Sequence, residues 1–244
     1  MAVAVISGLW LASLAFALRI EVTYGSVPLV VLLILVRTFL HTGLFIIAHD
    51  SAHGTLYPPD RGWNDRIGAV IIGVYALLPY DKFVQCHGLH HRIPGRVGDP
   101  DYHDGQHTHP LRWYAKFMQG YLDDRQRLQV FIWFTVIFHA VRFGAQIAAV
   151  NILLFWVLPI LLSSLQLFFF GTYLPHRQPQ TGYTNRHHAR SSYLPEWLSF
   201  LTCYHFGYHW EHHEYPHLPW FALPSALPHR ATGIMGGNSV AKEQ

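Results

Sequence analysis

Residues 27–53 read VPLVVLLILVRTFLHTGLFIIAHDSAH. The run from Val27 to Ala48 is apolar except for Arg37 and His41. It is long enough to cross a bilayer, which takes about 17–25 helical residues. It leads without a break into His49 and His53, which on a continuing helix project from one face at the membrane edge. Arg37 and His41 lie on the i, i+4 ladder that runs through Phe45 to His49. Each is costly in lipid and calls for a partner or a wet cavity, and His41, two turns deeper, is not expected to bind a metal with the others.

Working outward, three more apolar segments follow the same rule. Ala2–Leu18 is short but uncharged, and the stretch 130–173 holds two segments separated by a turn between Arg142 and Asn151. The run 67–78 is too short to span and reads as re-entrant or interfacial. Met1 opens directly into the first segment with no positive flank, which argues against a cleaved signal peptide. The pattern predicts an all-α integral membrane protein with four transmembrane helices in two hairpins. A membrane domain over residues 1–232 and a loose tail over 233–244 complete the expected organisation.

Composition agrees with lipid contact. Of the 244 residues, 51% are hydrophobic and only 13% charged, against roughly 25% charged in ordinary soluble domains. A net charge of +3 is too small and dispersed for nucleic-acid binding. The two cysteines, Cys86 and Cys203, make no disulfide framework. Fourteen of the 17 Lys and Arg residues follow the second or fourth apolar segment. The positive-inside rule places that side in the cytoplasm, and with it a histidine-rich cap.

Three motifs carry the chemistry: HDSAH at 49–53, HGLHH at 87–91 and HWEHH at 209–213. Residues three or four apart share a helix face, so His87, His90 and His91 group together, as do His209, His212 and His213. His205 precedes His209 by four residues and extends that stripe, and Pro216 stops the helix. Neutral imidazole suits iron, zinc, copper and nickel. Eight histidines exceed what one tetrahedral zinc uses, so two metals sharing about eight to ten nitrogens are expected.

The order HxxxH, HxxHH, HxxHH resembles the membrane fatty-acid desaturase and hydroxylase superfamily. Within it, TGLFIIAHDSAHG (42–54), PGRVGDPDYHDG (94–105), FGTYLPHR (170–177) and CYHFGYHWEHHEYPHLPW (203–220) resemble bacterial-type beta-carotene ketolases. The resemblance implies a di-iron site of two Fe2+ ions, with O2 as cosubstrate and a carotenoid as substrate. A double hydroxylation at C4 of the ring would give echinenone and canthaxanthin. A separate ferredoxin-like electron donor is implied, because no haem or flavin motif is visible. The location would be a cytoplasmic or internal photosynthetic-type membrane. The chain begins almost inside its first segment, where the family leads one to expect a longer cytoplasmic lead. His107 and His109 match no family motif.

The expected metal ligands are therefore His49, His53, His87, His90, His91, His176, His205, His209, His212 and His213. His205 could equally make a supporting hydrogen bond. Asp50, Asp81, Asp99 and Asp101 are candidates to hold ligand imidazoles in place, or else solvated turn residues. Tyr204, Phe206, Tyr208 and Trp210 could line a polyene groove or sit at the membrane interface. The nearest rival is an acyl desaturase or hydroxylase, or another carotenoid-ring oxygenase. A zinc-dependent intramembrane hydrolase would use HDSAH in place of HExxH, but it leaves two histidine clusters idle. A metal transporter or a bis-histidine haem protein would carry its ligands elsewhere or in fewer numbers.

Overall fold

Helix α2 runs from Val27 to Ala52, entered through a 3-10 turn at Tyr24–Ser26 in which Thr23 and Ser26 form a reciprocal cap. Pro28 in its first turn costs nothing, since that N–H would have no helical partner. The computed structural model describes residues 1–192 and 194–226, all helix, turn or loop, with no strand among them. The expected tail at 233–244 lies outside the described residues.

Against α2 pack α1 (Ala2–Ala17), α3 (Arg61–Ala76) and α7 (Ala149–His176). The two polar residues inside α2 explain how. The Arg37 guanidinium donates to the carbonyls of Trp10 at 2.6 Å and Phe155 at 3.0 Å and lies 4.8 Å over the Trp10 ring. His41 accepts from Trp10 Nε1 at 3.1 Å. Pro159 has no N–H to offer Phe155, the carbonyl four residues back, and Arg37 supplies a donor there. α1, α2 and α7 are thus joined by buried polar groups where lipid would leave them unpaired.

α3 is capped by Asp60, which accepts from Trp63 N. It ends where Leu77 adopts a left-handed conformation, φ 56°, and Pro79 starts α4, Tyr80–Arg92. The two helices meet at 95°. The apolar run 67–78 is therefore the second half of α3 and the turn after it. Next come α5 (Pro110–Gly120) and α6 (Asp124–His139), capped by Asp123 and Gln126. A π turn at Ala140–Gly144 leads to a bend and then α7. Inside α7 two π turns, Leu153–Val157 and Phe168–Tyr173, widen the helix, the second just before His176. Short helices α8 (Glu196–Cys203) and α9 (His209–Glu214) and a 3-10 turn, Trp220–Ala226, close over the end of α2.

Two helices are long and apolar enough to cross a membrane, Tyr24–Ala52 and Ala149–His176. At 1.5 Å per residue they reach about 40 Å. The four spans expected from the sequence are not all of this length. α1 and α6 have 16 residues each, and α6 begins with Asp124, Arg125 and Arg127.

Candidate metal centre

The histidines reach one place from four helices. His49 is in the last turn of α2 and His53 caps its end. His87, His90 and His91 lie on α4, His176 ends α7, and His209, His212 and His213 lie on α9. They sort into two groups. His49, His53, His87, His91 and His212 form one, His90, His176, His209 and His213 the other, with the ligand nitrogens of each group all within 4.8 Å of one another.

Each HxxHH motif is split between the groups. Successive helical residues point about 100° apart, so neighbouring histidines diverge while i and i+4 stay together. His87 and His91 serve the first group and His90 the second; His209 and His213 serve the second and His212 the first.

The spacing fits metal coordination. Nε2 of His53 lies 2.7 Å from that of His87, and Nε2 of His91 lies 2.9 Å from that of His212. In the second group, His209 Nε2 is 2.9 Å from His176 Nε2 and 3.1 Å from His213 Nε2, which is itself 3.1 Å from His90 Nε2. Metal–imidazole bonds of about 2.0–2.1 Å place adjacent ligand nitrogens about 3 Å apart. Both nitrogens of buried His49 lack a hydrogen-bond partner, a costly state for a ring that is not ligating.

The rings are also held in the ligating form. Burial, then the charge of neighbouring imidazoles, pushes His87, His209, His212 and His213 far below the usual histidine pKa. Burial with Arg61 and His90 takes His53 down to about 4. These imidazoles are neutral at physiological pH, with a lone pair to share. His90 is the exception. Burial pulls it down, but the charges of Asp101 and Asp99 outweigh that and raise it.

The loop after α4 supplies that carboxylate support. Asp99 accepts from His90 Nδ1 at 2.9 Å, from Gly95 N at 2.8 Å and from Asp101 N at 2.8 Å. Gly95 adopts φ 63°, and a Cβ there would lie 2.8 Å from His188 Cβ, so only glycine fits. Lys116 Nζ holds the carbonyls of Asp99 and Pro100 at 2.8 and 2.9 Å. Asp101 Oδ2 stands 3.9 Å from His90 Nδ1 and Oδ1 accepts from the Tyr121 hydroxyl.

Other expected residues fall elsewhere. His205 joins neither group. The chain is left-handed at Tyr204 (φ 47°) and His205 (φ 62°), so no helix continues from 205 to 209, and the His205 ring stacks with Trp220 instead, at 6.1 Å. Asp50 is 3.9 Å from His49 Nδ1, too far for a hydrogen bond, and accepts from Trp220 N at the start of the last turn. Asp81 is exposed in the first turn of α4 and pairs with no histidine among the described residues.

Three supports had no clear signal in the sequence. The His188 carbonyl accepts from His176 Nδ1 at 2.9 Å. Tyr183 donates to the His176 carbonyl. Glu211, fully buried between His209 and His212 in the chain, accepts from the Ser191 hydroxyl.

Tyr204, Phe206, Tyr208 and Trp210, candidates for a polyene groove or a membrane interface, pack around the cap. Tyr204 stacks on Phe39 at 4.4 Å and Phe206 packs edge-on to His49 at 4.8 Å, while Trp210 lies 6.1 Å from His187. With Tyr208 buried as well, these rings brace the cap. A long apolar cavity lies on the other side, between α1, α3, α5, α6 and α7, with a volume of about 770 Å³. Along α7 its lining runs from Ile152 to Leu167, a rise of about 22 Å. At one end Phe45 and Phe83 stand between it and the histidines, stacked with His49 at 6.3 Å and with His87 at 6.1 Å.

Comparison with known proteins agrees with this geometry. A family model described as fatty acid desaturase matches residues 25–233. A beta-carotene ketolase of Paracoccus sp. (strain N81106 / MBIC 01143) is 43% identical over 189 residues, 77% of this chain and 75% of that protein. One from Paracoccus sp. (strain PC1) is 40% identical over 216 residues, 88% and 86% respectively. A zeaxanthin 4-ketolase of Chlamydomonas reinhardtii is 39% identical over 222 residues, 89% of this chain and 48% of that longer protein.

Proposed function

The chain belongs to the fatty acid desaturase family, and from that premise we propose that it is a beta-carotene 4-ketolase. The observation that carries this reading is the long apolar cavity that ends against the histidines. A slot about 22 Å long suits a rigid polyene better than a compact substrate. It is walled by helices that lie in the bilayer, so a carotenoid can enter from lipid without crossing water.

In this reading His49, His53, His87, His91 and His212 hold one iron, and His90, His176, His209 and His213 hold the other. Two ferrous ions bound there would supply O2 activation strong enough for a C–H bond. The protein's own part is positional. Phe45 and Phe83 fix how closely the ring end of the substrate approaches His49 and His87, and the apolar walls exclude water from the reacting carbon. C4 of the ring is allylic, and its C–H bonds are weaker than those of an alkyl chain. Two successive hydroxylations give a geminal diol, which loses water to the ketone. Each hydroxylation consumes one O2, two electrons and two protons, placing one oxygen atom in the substrate and releasing the other as water.

The electrons come from a separate ferredoxin-like donor, steered to the cap by the basic residues between Gly54 and Gln129. The cap faces the cytoplasm by the positive-inside rule. α1 and α6 complete two hairpins in the bilayer, which accounts for Leu11 and Phe16 on α1 and Phe131 and Trp133 on α6, all more than half exposed in the isolated chain.

Pigment analysis of bacteria that accumulate beta-carotene, with and without this chain, tests the proposal. Echinenone and canthaxanthin are the expected products. Unchanged beta-carotene, with the protein in the membrane and iron-loaded, would move the substrate to acyl chains or hydroxylated carotenoids.

A further inference from the structure

Tyr121 belongs to the cavity wall yet is bonded toward the histidines. Its ring lies 6.3 Å from Phe83, which is parallel within 9° to His87 at 6.1 Å. Its hydroxyl donates to Asp101 Oδ1 at 2.6 Å. Asp101 stands beside His90 Nδ1, and its N–H bonds to Asp99 Oδ1, an atom that also accepts from His90. One side chain is therefore linked to the first histidine group through Phe83 and to the second through Asp101 and Asp99. A wall alone has no use for the hydroxyl. Phe45 and Phe83 line the same end without one, and a buried hydroxyl is costly unless paired.

Resting on the ketolase reading, we propose that Tyr121 is a positioning residue: its hydroxyl holds Asp101, whose backbone N–H bonds the Asp99 carboxylate that orients His90, while its ring forms the wall against which the substrate seats. The shape of the cavity end and the aim of His90 are then set by one side chain.

Tyr121→Phe keeps the ring, and so the cavity, and removes only the bond to Asp101. The expected result is turnover about tenfold lower with KM for the carotenoid within about twofold of wild type. Iron should pass to a chelator about tenfold faster, measured with no substrate present. The scale is that for loss of an outer hydrogen bond behind a ligating histidine. Asp101→Ala should move both readouts the same way. The double variant should be no worse than Asp101→Ala alone, since both act through one bond. Wild-type turnover and iron retention in Tyr121→Phe overturn the proposal. So does a raised KM with unchanged iron retention, which would make Tyr121 a wall and nothing more. A wild-type protein that holds iron but makes no ketone overturns the ketolase reading, and the iron measurement then decides the role of Tyr121 by itself.

Discussion

His176 donates its Nδ1–H to the carbonyl oxygen of His188 at 2.9 Å. That bond leaves Nε2 as the lone-pair nitrogen of the ring, and Nε2 stands 2.9 Å from Nε2 of His209. A ring whose tautomer and aim are set by the backbone is prepared as a ligand. His205 has no such arrangement; it packs on Trp220, outside both groups. His176→Ala should abolish ketone formation and lower the iron-to-protein ratio of membrane-inserted protein toward half. His205→Ala should keep at least about a third of wild-type product with full iron. Pigment yield and metal analysis on the same preparations check both, and an iron-deficient His205→Ala would return that residue to the ligand set.

Asp99 accepts three hydrogen bonds at once, from His90, Gly95 and Asp101. Asparagine there keeps the shape but loses the charge, and its amide nitrogen would meet a donor. Loss of such a partner typically costs 10–100-fold in metal affinity or activity. Asp99→Asn should therefore lose iron to a chelator at least about tenfold more readily than wild type. Asp81→Asn, exposed at the start of α4, should not differ from wild type. Equal iron retention in the two variants would remove Asp99 from the support of the site.

Part of this centre was legible because histidines at i and i+4 carry their geometry in the sequence. The helix from Val27 into the first histidine pair and the closeness of His49 and His53 follow from spacing, while local chemistry left Asp99 and Asp101 open between imidazole support and solvated turn. Other features depend on long-range packing or on backbone angles that residue identity does not reveal. Helix rotation alone separates His90 from His91, but which other histidines each one meets depends on α2, α7 and α9 being in place. The turn at Tyr204 and His205 puts two non-glycine residues at positive φ, so an i, i+4 ladder drawn through them fails. The His188 carbonyl is a backbone atom and left no mark on composition. The aromatic run at 204–210 reads equally as a substrate groove or a membrane-interface belt, whereas the apolar cavity is lined by residues spread over seven helices.

Arg37 is fully buried in α2 and supplies Phe155 with the donor that Pro159 lacks. Arg37→Leu fits the apolar surroundings but withdraws that donor and the bond to Trp10. An unmade hydrogen bond at a buried carbonyl costs about 1–3 kcal/mol. The variant should melt several degrees lower in detergent while still binding iron when folded, because no histidine ligand touches Arg37. Loss of iron at full thermal stability would instead place Arg37 in the metal site.

Gly73 on α3 lines the apolar cavity, and a Cβ built on it meets nothing within 4 Å. A larger side chain there has room and also favours the helix by up to about 1 kcal/mol over glycine. Gly73→Leu should therefore fold at least as well as wild type, insert and bind iron normally. Its side chain would occupy space along the slot, and carotenoid turnover should fall at least about fivefold, through a raised KM where the substrate still fits. A smaller residue, Gly73→Ala, should lie between the two. Thermal melting, iron content and ketocarotenoid yield measured together separate loss of the substrate path from loss of the fold. Full turnover in a stable, iron-loaded Gly73→Leu protein would mean that the substrate reaches the histidines by another route.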